Sequence, residues 1–327
     1  YQYNNQMAAA AGYVAAHKFY PEMEIGAAYD RAMQEVIFDP LGMSNTTFDF
    51  TTALNGNIAT PYTVNFDGEV EAIKQTLNDG FNHTVTAYRP AGGAWSTPTD
   101  MLKYIQNELT GGIGPDGKRL FAEIPLLERR APFVETGAGS SYGMGLSNID
   151  MHGIAVVEHG GSMAGYLSQM VIIPEANVGA VILTNSDQGG SLLGPFGRKL
   201  LELLYDAESK AEAQITAAAD GTKQYLAKER ADLTIPVDPE LIATLAKSYN
   251  SPKLGTVDIR SNGDVVFLDS GVWSGRLGSK TNADGTISLV VTSDAVRGVE
   301  LVIGEAEGKR TLSLITPQHK YVLTEAD

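Results

Sequence analysis

Apolar positions recur at helical spacing through the first stretch of the chain. Met7, Ala11, Val14 and Ala15 can share one helix face, and Tyr29, Met33, Val36 and Ile37 another. Tyr20-Pro21 breaks the pattern between them, so two helices are expected within Asn5 to Val36. The segment Ile37-Phe38-Asp39-Pro40-Leu41-Gly42-Met43 closes the second. From Ser44 to Arg89 the periodicity vanishes and Thr, Asn, Asp and Gly prevail. A loop this long in a compact domain is usually functional, often a wall of a cleft. A helix start follows at Thr97-Pro98-Thr99-Asp100, with Met101, Leu102, Ile105 and Leu109 at helical spacing, and Gly111 and Gly112 stop it. Three β-like runs come next, at Ile154–Glu158, Tyr166–Ile173 and Val178–Thr184. Their short turns suit an antiparallel meander. Gly197 to Tyr205 reads as an amphipathic helix packed on that sheet.

Ala207 to Leu226 is rich in Ala, Glu and Lys and reads as a helix trailing into a linker, punctuated by Pro236 and Pro239. From about Lys247 the pattern changes to short alternating runs with turns at Asn262-Gly263-Asp264, Asn282-Ala283-Asp284-Gly285 and Glu307-Gly308-Lys309. Such spacing predicts a small antiparallel barrel or sandwich. The expected division is a first domain over 1–206, a helical linker over 207–235 and a small β domain over 236–327. A length of 327 residues is ample for two cores.

Composition narrows the function classes. A formal net charge of −15 disfavours a nucleic-acid partner. No apolar run is long enough to span a membrane. Cysteine is absent, which removes disulfides, thiolate metal sites and cysteine nucleophiles. His17, His83, His152 and His319 are scattered without metal-ligand spacing, and Gly114, Gly117 and Gly137-Ala138-Gly139 lack the strand–helix context of a phosphate loop. No cofactor is expected.

Three segments could carry chemistry. Tyr3 and Asn5 stand two apart at a helix entry, where a phenol and a carboxamide can face one cleft. Nearby cations can lower a phenol's pKa enough for proton transfer. Taken alone, this pair is more simply a capping Asn and an aromatic anchor. His159-Gly160-Gly161-Ser162 follows an apolar strand and precedes another. Glycines there let a substrate backbone approach an edge strand and pair with it, although an isolated match is more often a turn with a solvated histidine. In Gly92-Gly93-Ala94-Trp95-Ser96-Thr97 the glycine pair permits a tight backbone, and Ser96 or Thr97 caps the following helix.

In this order the segments resemble the β-lactamase and penicillin-binding-protein superfamily, in its esterase and peptidase branch. Tyr3 and Asn5 match its Tyr-x-Asn signature, and His159 and Gly161 match the His-x-Gly form of its third signature. Ile37 to Met43, Gly92 to Asp100, Tyr142-Gly143-Met144-Gly145 and His159 through Asn185 match around them, so the resemblance covers about Tyr1 to Tyr205. The resemblance implies an α/β (α+β) fold, an antiparallel sheet flanked by helices. The last domain resembles the lipocalin-like barrel appended to some peptidases of this branch. It also implies hydrolysis of a peptide, amide or ester through an acyl-serine intermediate, with peptidase preferred over esterase or β-lactamase. Tyr3, Asn5 and His159 would be catalytic, and Gly160, Gly161, Ser162 and Ala164 substrate-binding, with an oxyanion donor among the N–H groups of Ser162 to Ala164. The sequence leaves the compartment unknown, with a periplasmic or secreted setting slightly favoured over a cytoplasmic one.

One departure is decisive. The family's Ser-x-x-Lys, nucleophile and lysine, occurs nowhere in these 327 residues. The expectation is that an N-terminal segment or separate chain supplies it and stays bound, because the remaining strands alone would leave an aggregation-prone sheet edge. The rival expectation is a binding protein or inactive fragment that kept the fold without the serine.

Overall fold

The computed structural model describes residues 1–76, 81–293, 295–317 and 319–326. They form two compact units: Tyr1–Ala59 with Asn82–Thr216, and Thr60–Phe81 with Ala217–Asp327.

The first unit opens with α1 (Asn5–Phe19) and α2 (Ile25–Met33), separated at Tyr20-Pro21. Asn4 caps α1, its side chain accepting from the Met7 N–H at 2.9 Å. Helical backbone runs beyond α2 through Gln34–Phe38 and Asp39–Leu41. It stops at Gly42, whose φ of 69° is the left-handed conformation that glycine enters without a Cβ clash. The face of α2 is as expected, with Tyr29 buried and Met33 packed beside it. The face of α1 is not. Its buried residues are Ala9 and Ala16, whereas Met7 and Val14 are each 69% exposed. An alanine-rich helix is apolar almost all round, so periodicity alone could not choose its buried stripe.

The stretch from Ser44 to Arg89 is not one long loop. It holds a helix at Phe50–Leu54, an antiparallel hairpin of β1 (Tyr62–Val64) and β2 (Val70–Ala72), and 3-10 turns over Phe81–Ala91. The hairpin belongs to the second unit. Residues 77–80 of this stretch lie outside the described residues.

The first unit is built on an antiparallel sheet of β3 (Val134–Gly137), β4 (Ser140–Tyr142), β5 (Ser147–Met151), β6 (Ile154–Met163), β7 (Tyr166–Ile173) and β8 (Val178–Thr184), in that spatial order. Strand alternation splits its apolar residues between two faces. Val157, Met170 and Ile172 pack with Ile105 of the helix Pro98–Leu109. Val156, Val171 and Ile173 pack with Leu201 of the helix Gly190–Tyr205. The expected sandwich of helices around an antiparallel sheet is therefore present. Thr97 caps the first of these helices, accepting from the Asp100 N–H at 3.2 Å.

In the second unit, β9 (Ser248–Ser251), β10 (Gly255–Asn262), β11 (Val265–Asp269), β12 (Ser274–Thr281), β13 (Ile287–Val291), β14 (Glu300–Ala306), β15 (Lys309–Ile315) and β16 (Lys320–Glu325) close into an eight-stranded antiparallel barrel. Its core includes Tyr249, Leu268, Leu277, Leu289, Leu312 and Leu323, all at most 2% exposed. Eight strands enclose just enough room for side chains to fill, and here they do. Val64 and Phe66 of the hairpin segment form a second cluster with Leu226, Leu233 and Val290 of the same unit.

Candidate active site

The two halves of β6 are in different situations. Ile154–Glu158 lies between β5 and β7, and the pairing with β5 ends at Ser147 opposite Glu158. From His159 to Met163 the strand pairs only with β7. Its other edge has no strand partner among the described residues, and Gly160, Gly161 and Ser162 are exposed. The turn between β5 and β6 sets this register. His152 and Gly153 both take positive φ, 61° and 87°, as a tight hairpin of this hand requires.

The two glycines also ease packing against β7. A Cβ at Gly160 would stand 2.6 Å from Oε1 of Gln169, and one at Gly161 would stand 2.5 Å from Oγ of Ser168. Beyond the strand, Ala164 sits in the turn to β7, where its carbonyl accepts from the Asn82 amide at 3.0 Å. The Tyr166 hydroxyl donates to the Ala59 carbonyl at 2.7 Å and its ring meets Trp95 edge-on, so the end of the open edge is firmly anchored.

Tyr3 comes to this strand from the chain's first residues. Its ring centroid lies 6.3 Å from that of His159, and Tyr3 as a whole is 52% exposed. Asn5 is the exposed first residue of α1, and capping falls to its neighbour Asn4. Thus the structure brings Tyr3 and His159 together, places Gly160, Gly161 and Ser162 on the open edge beside them, and sets Ala164 in the turn that follows.

Sequence reasoning did not single out Tyr142 as a site residue. It lies on β4 opposite Ser147 of β5, two strands across from β6. Its hydroxyl is 2.8 Å from Nε2 of His159, and its ring meets that of Tyr3 edge-on at 6.0 Å and that of Tyr1 at 5.5 Å. Burial raises the Tyr142 phenol well above its ordinary pKa, and the neighbouring Tyr3 and Tyr1 phenols raise it further. The sequence does carry Tyr142-Gly143-Met144-Gly145, but nothing in a tetrapeptide says which ring it will touch.

A buried ionic network holds that tetrapeptide. Glu108, fully buried on the helix Pro98–Leu109, pairs with both Arg129 and Arg130, and Tyr104 bonds Arg129. The Arg129 carbonyl then accepts from the Met144 N–H at 2.8 Å. Gly143 lies so close that a Cβ there would collide with the same carbonyl. No group of metal-ligating side chains is found among the described residues.

Comparison with known proteins places the chain in a family. The profile of the family described as Beta-lactamase matches residues 1–199, and the chain belongs to that family of serine hydrolases. Penicillin-binding protein 4 of Amycolatopsis lactamdurans is 25% identical over 191 residues, covering 55% of this chain and 47% of that protein. D-alanyl-D-alanine-carboxypeptidase/endopeptidase AmpH of Escherichia coli K12 is 26% identical over 170 residues, covering 49% and 40%. The match therefore spans less than half the length of either relative. Among solved structures, the octameric penicillin-binding protein homologue from Pyrococcus abyssi aligns at 19% identity with a TM-score of 0.47, over 91% of this chain and 60% of that one.

Proposed function

We propose that the complete protein is a serine peptidase, hydrolysing peptide or amide bonds through an acyl-serine intermediate. A Ser-x-x-Lys segment, preceding this stretch or carried on a separate chain, supplies the nucleophile and its lysine. The serine Oγ attacks the substrate carbonyl carbon while its proton passes to the lysine or to Tyr3. Asn5 orients groups in the cleft. Backbone N–H groups among Ser162 to Ala164 stabilise the oxyanion, the C–N bond breaks as the departing amine takes a proton, and water hydrolyses the acyl-serine. His159 and Gly161 form the wall against which the substrate lies.

The observation that carries this reading is the edge of His159–Met163, without a strand partner among the described residues, exposed over its glycines and adjoining the ring of Tyr3. An extended peptide can add to such an edge by main-chain hydrogen bonds. A second observation supports the supplying segment. The outer edge of β8 has no strand partner among the described residues, and its Val-Gly-Ala-Val-Ile-Leu-Thr sequence is half-exposed throughout. Met7 and Val14 of α1 also face outward. Apolar edges and faces of this kind are normally covered.

Intact-protein mass spectrometry of the denatured natural protein, with and without a fluorophosphonate probe, tests the proposal. The expected result is a polypeptide carrying Ser-x-x-Lys that gains the probe's mass. A single unlabelled species of this chain's mass points instead to a binding protein or an inactive fragment.

A further inference from the structure

His159 has both ring nitrogens engaged. Nδ1 lies 2.6 Å from the carbonyl oxygen of Gly160, and Nε2 lies 2.8 Å from the hydroxyl of Tyr142. A carbonyl oxygen can only accept, so Nδ1 must carry a proton. A neutral imidazole has a single ring proton, so Nε2 is then bare and accepts from the phenol. We propose that Tyr142 is a positioning residue that locks His159 in the Nδ1–H tautomer and occupies its Nε2, withholding that nitrogen from substrate. The role requires a phenol that keeps its proton, and the half-buried site between Tyr3 and Tyr1 favours the neutral form of Tyr142.

Two consequences follow for the proposed hydrolase, on which this part of the inference rests. In the Nδ1–H tautomer the imidazole presents no N–H to a substrate carboxylate, since its only N–H points to the Gly160 carbonyl of its own strand. It therefore shapes the wall beside Tyr3 without serving as a general acid. Tyr142 in turn makes edge contact with the ring of Tyr3, so one phenol orders both of the groups that the two signatures bring together.

The tautomer can be read without turnover on the natural protein, with whatever segment it carries left bound, so its failure is distinct from failure of the peptidase reading. Long-range proton–nitrogen NMR spectra distinguish a protonated from an unprotonated ring nitrogen, and the five histidines of this stretch leave few signals to assign. In its one-proton form, read at a pH where the ring is neutral, His159 is expected to show a protonated Nδ1 and an unprotonated, hydrogen-bonded Nε2. In Tyr142→Phe the Nε2–H form should gain population while the backbone amide spectrum stays folded. An Nε2–H tautomer in the unsubstituted protein overturns the proposal without recourse to any variant. So does an Nδ1–H tautomer that Tyr142→Phe leaves unchanged, because Gly160 alone would then set it.

Discussion

The two sheets of this protein handle their edges in opposite ways. In the barrel every strand has two neighbours, because β9 pairs with both β10 and β16. Full closure removes edges and leaves alternation to fill the interior with Leu289, Leu312, Leu323 and their neighbours. Among the described residues the sheet of the first unit stays open, and its edges differ among themselves. Strand β3 is four exposed residues interrupted by a register shift at Glu135/Gly137, a form that discourages further pairing. Strand β8 is seven residues long, mostly apolar and regularly paired with β7 along its other side. The outer half of β6 is short, glycine-rich and bordered by tyrosines. Closed structure here carries packing, whereas the open edges leave main-chain groups without a strand partner among the described residues.

That contrast can be broken or sharpened by substitution. The largest effect is expected in the barrel, where Leu289→Ala empties a fully buried site and costs roughly 3–5 kcal/mol. Hydrogen exchange should show protection lost across β10–β16 while amides of β6–β8 keep theirs. Loss of protection in both units would mean that they do not hold separate cores. Glu108→Ala should cost the first unit about 3 kcal/mol, because Arg129 and Arg130 lose a buried carboxylate, and denaturant midpoints will measure it.

Gly143→Ala pushes a methyl into the Arg129 carbonyl and should cost roughly 1–3 kcal/mol. It should also move the His159 ring signals, because Tyr142 is the adjacent residue. The smallest effect concerns Asp100. Burial raises its carboxyl pKa, but hydrogen bonds from Lys103, the Asn45 N–H and the Thr46 hydroxyl outweigh this and hold it below the ordinary value. A depressed carboxyl contributes stability above its unfolded pKa of about 3.9, lost as pH falls through the lower folded value. Asp100→Asn should therefore be less stable by about 1–2 kcal/mol above pH ~5, the gap narrowing below pH ~4. A gap constant with pH would remove Asp100 from the acid response.

Much of the fold was legible because its signals are local. Tyr20-Pro21 ends a helix wherever it stands, Thr97 can cap the helix that follows, and the Asn- and Gly-rich turns after Lys247 announce short strands. The misreadings have a common cause. Met7 and Val14 have the spacing of a buried stripe, yet only a neighbouring element can decide which side of an alanine-rich helix is covered. The Ser44–Arg89 stretch lacks periodicity because its hairpin strands are three residues each, too short to show a period. The candidate site divides in the same way. Tyr3, His159 and the glycines carry a pattern that a sequence can display, whereas Tyr142 takes its place through strand register.

The sequence by itself determined the family, the helix boundaries set by Pro, Gly and capping residues, the open-sheet-plus-barrel class and the absence of a Ser-x-x-Lys in this stretch. Each of these rests on residue identity or on spacing within a few turns. Only the tertiary structure decided that β6 loses one partner at Glu158, that Ala9 and Ala16 rather than Met7 and Val14 are covered, and that the Tyr142 hydroxyl meets Nε2 of His159. These depend on which distant segments pair and in what register, and a one-residue shift in β4 or β5 would turn Tyr142 to the opposite face.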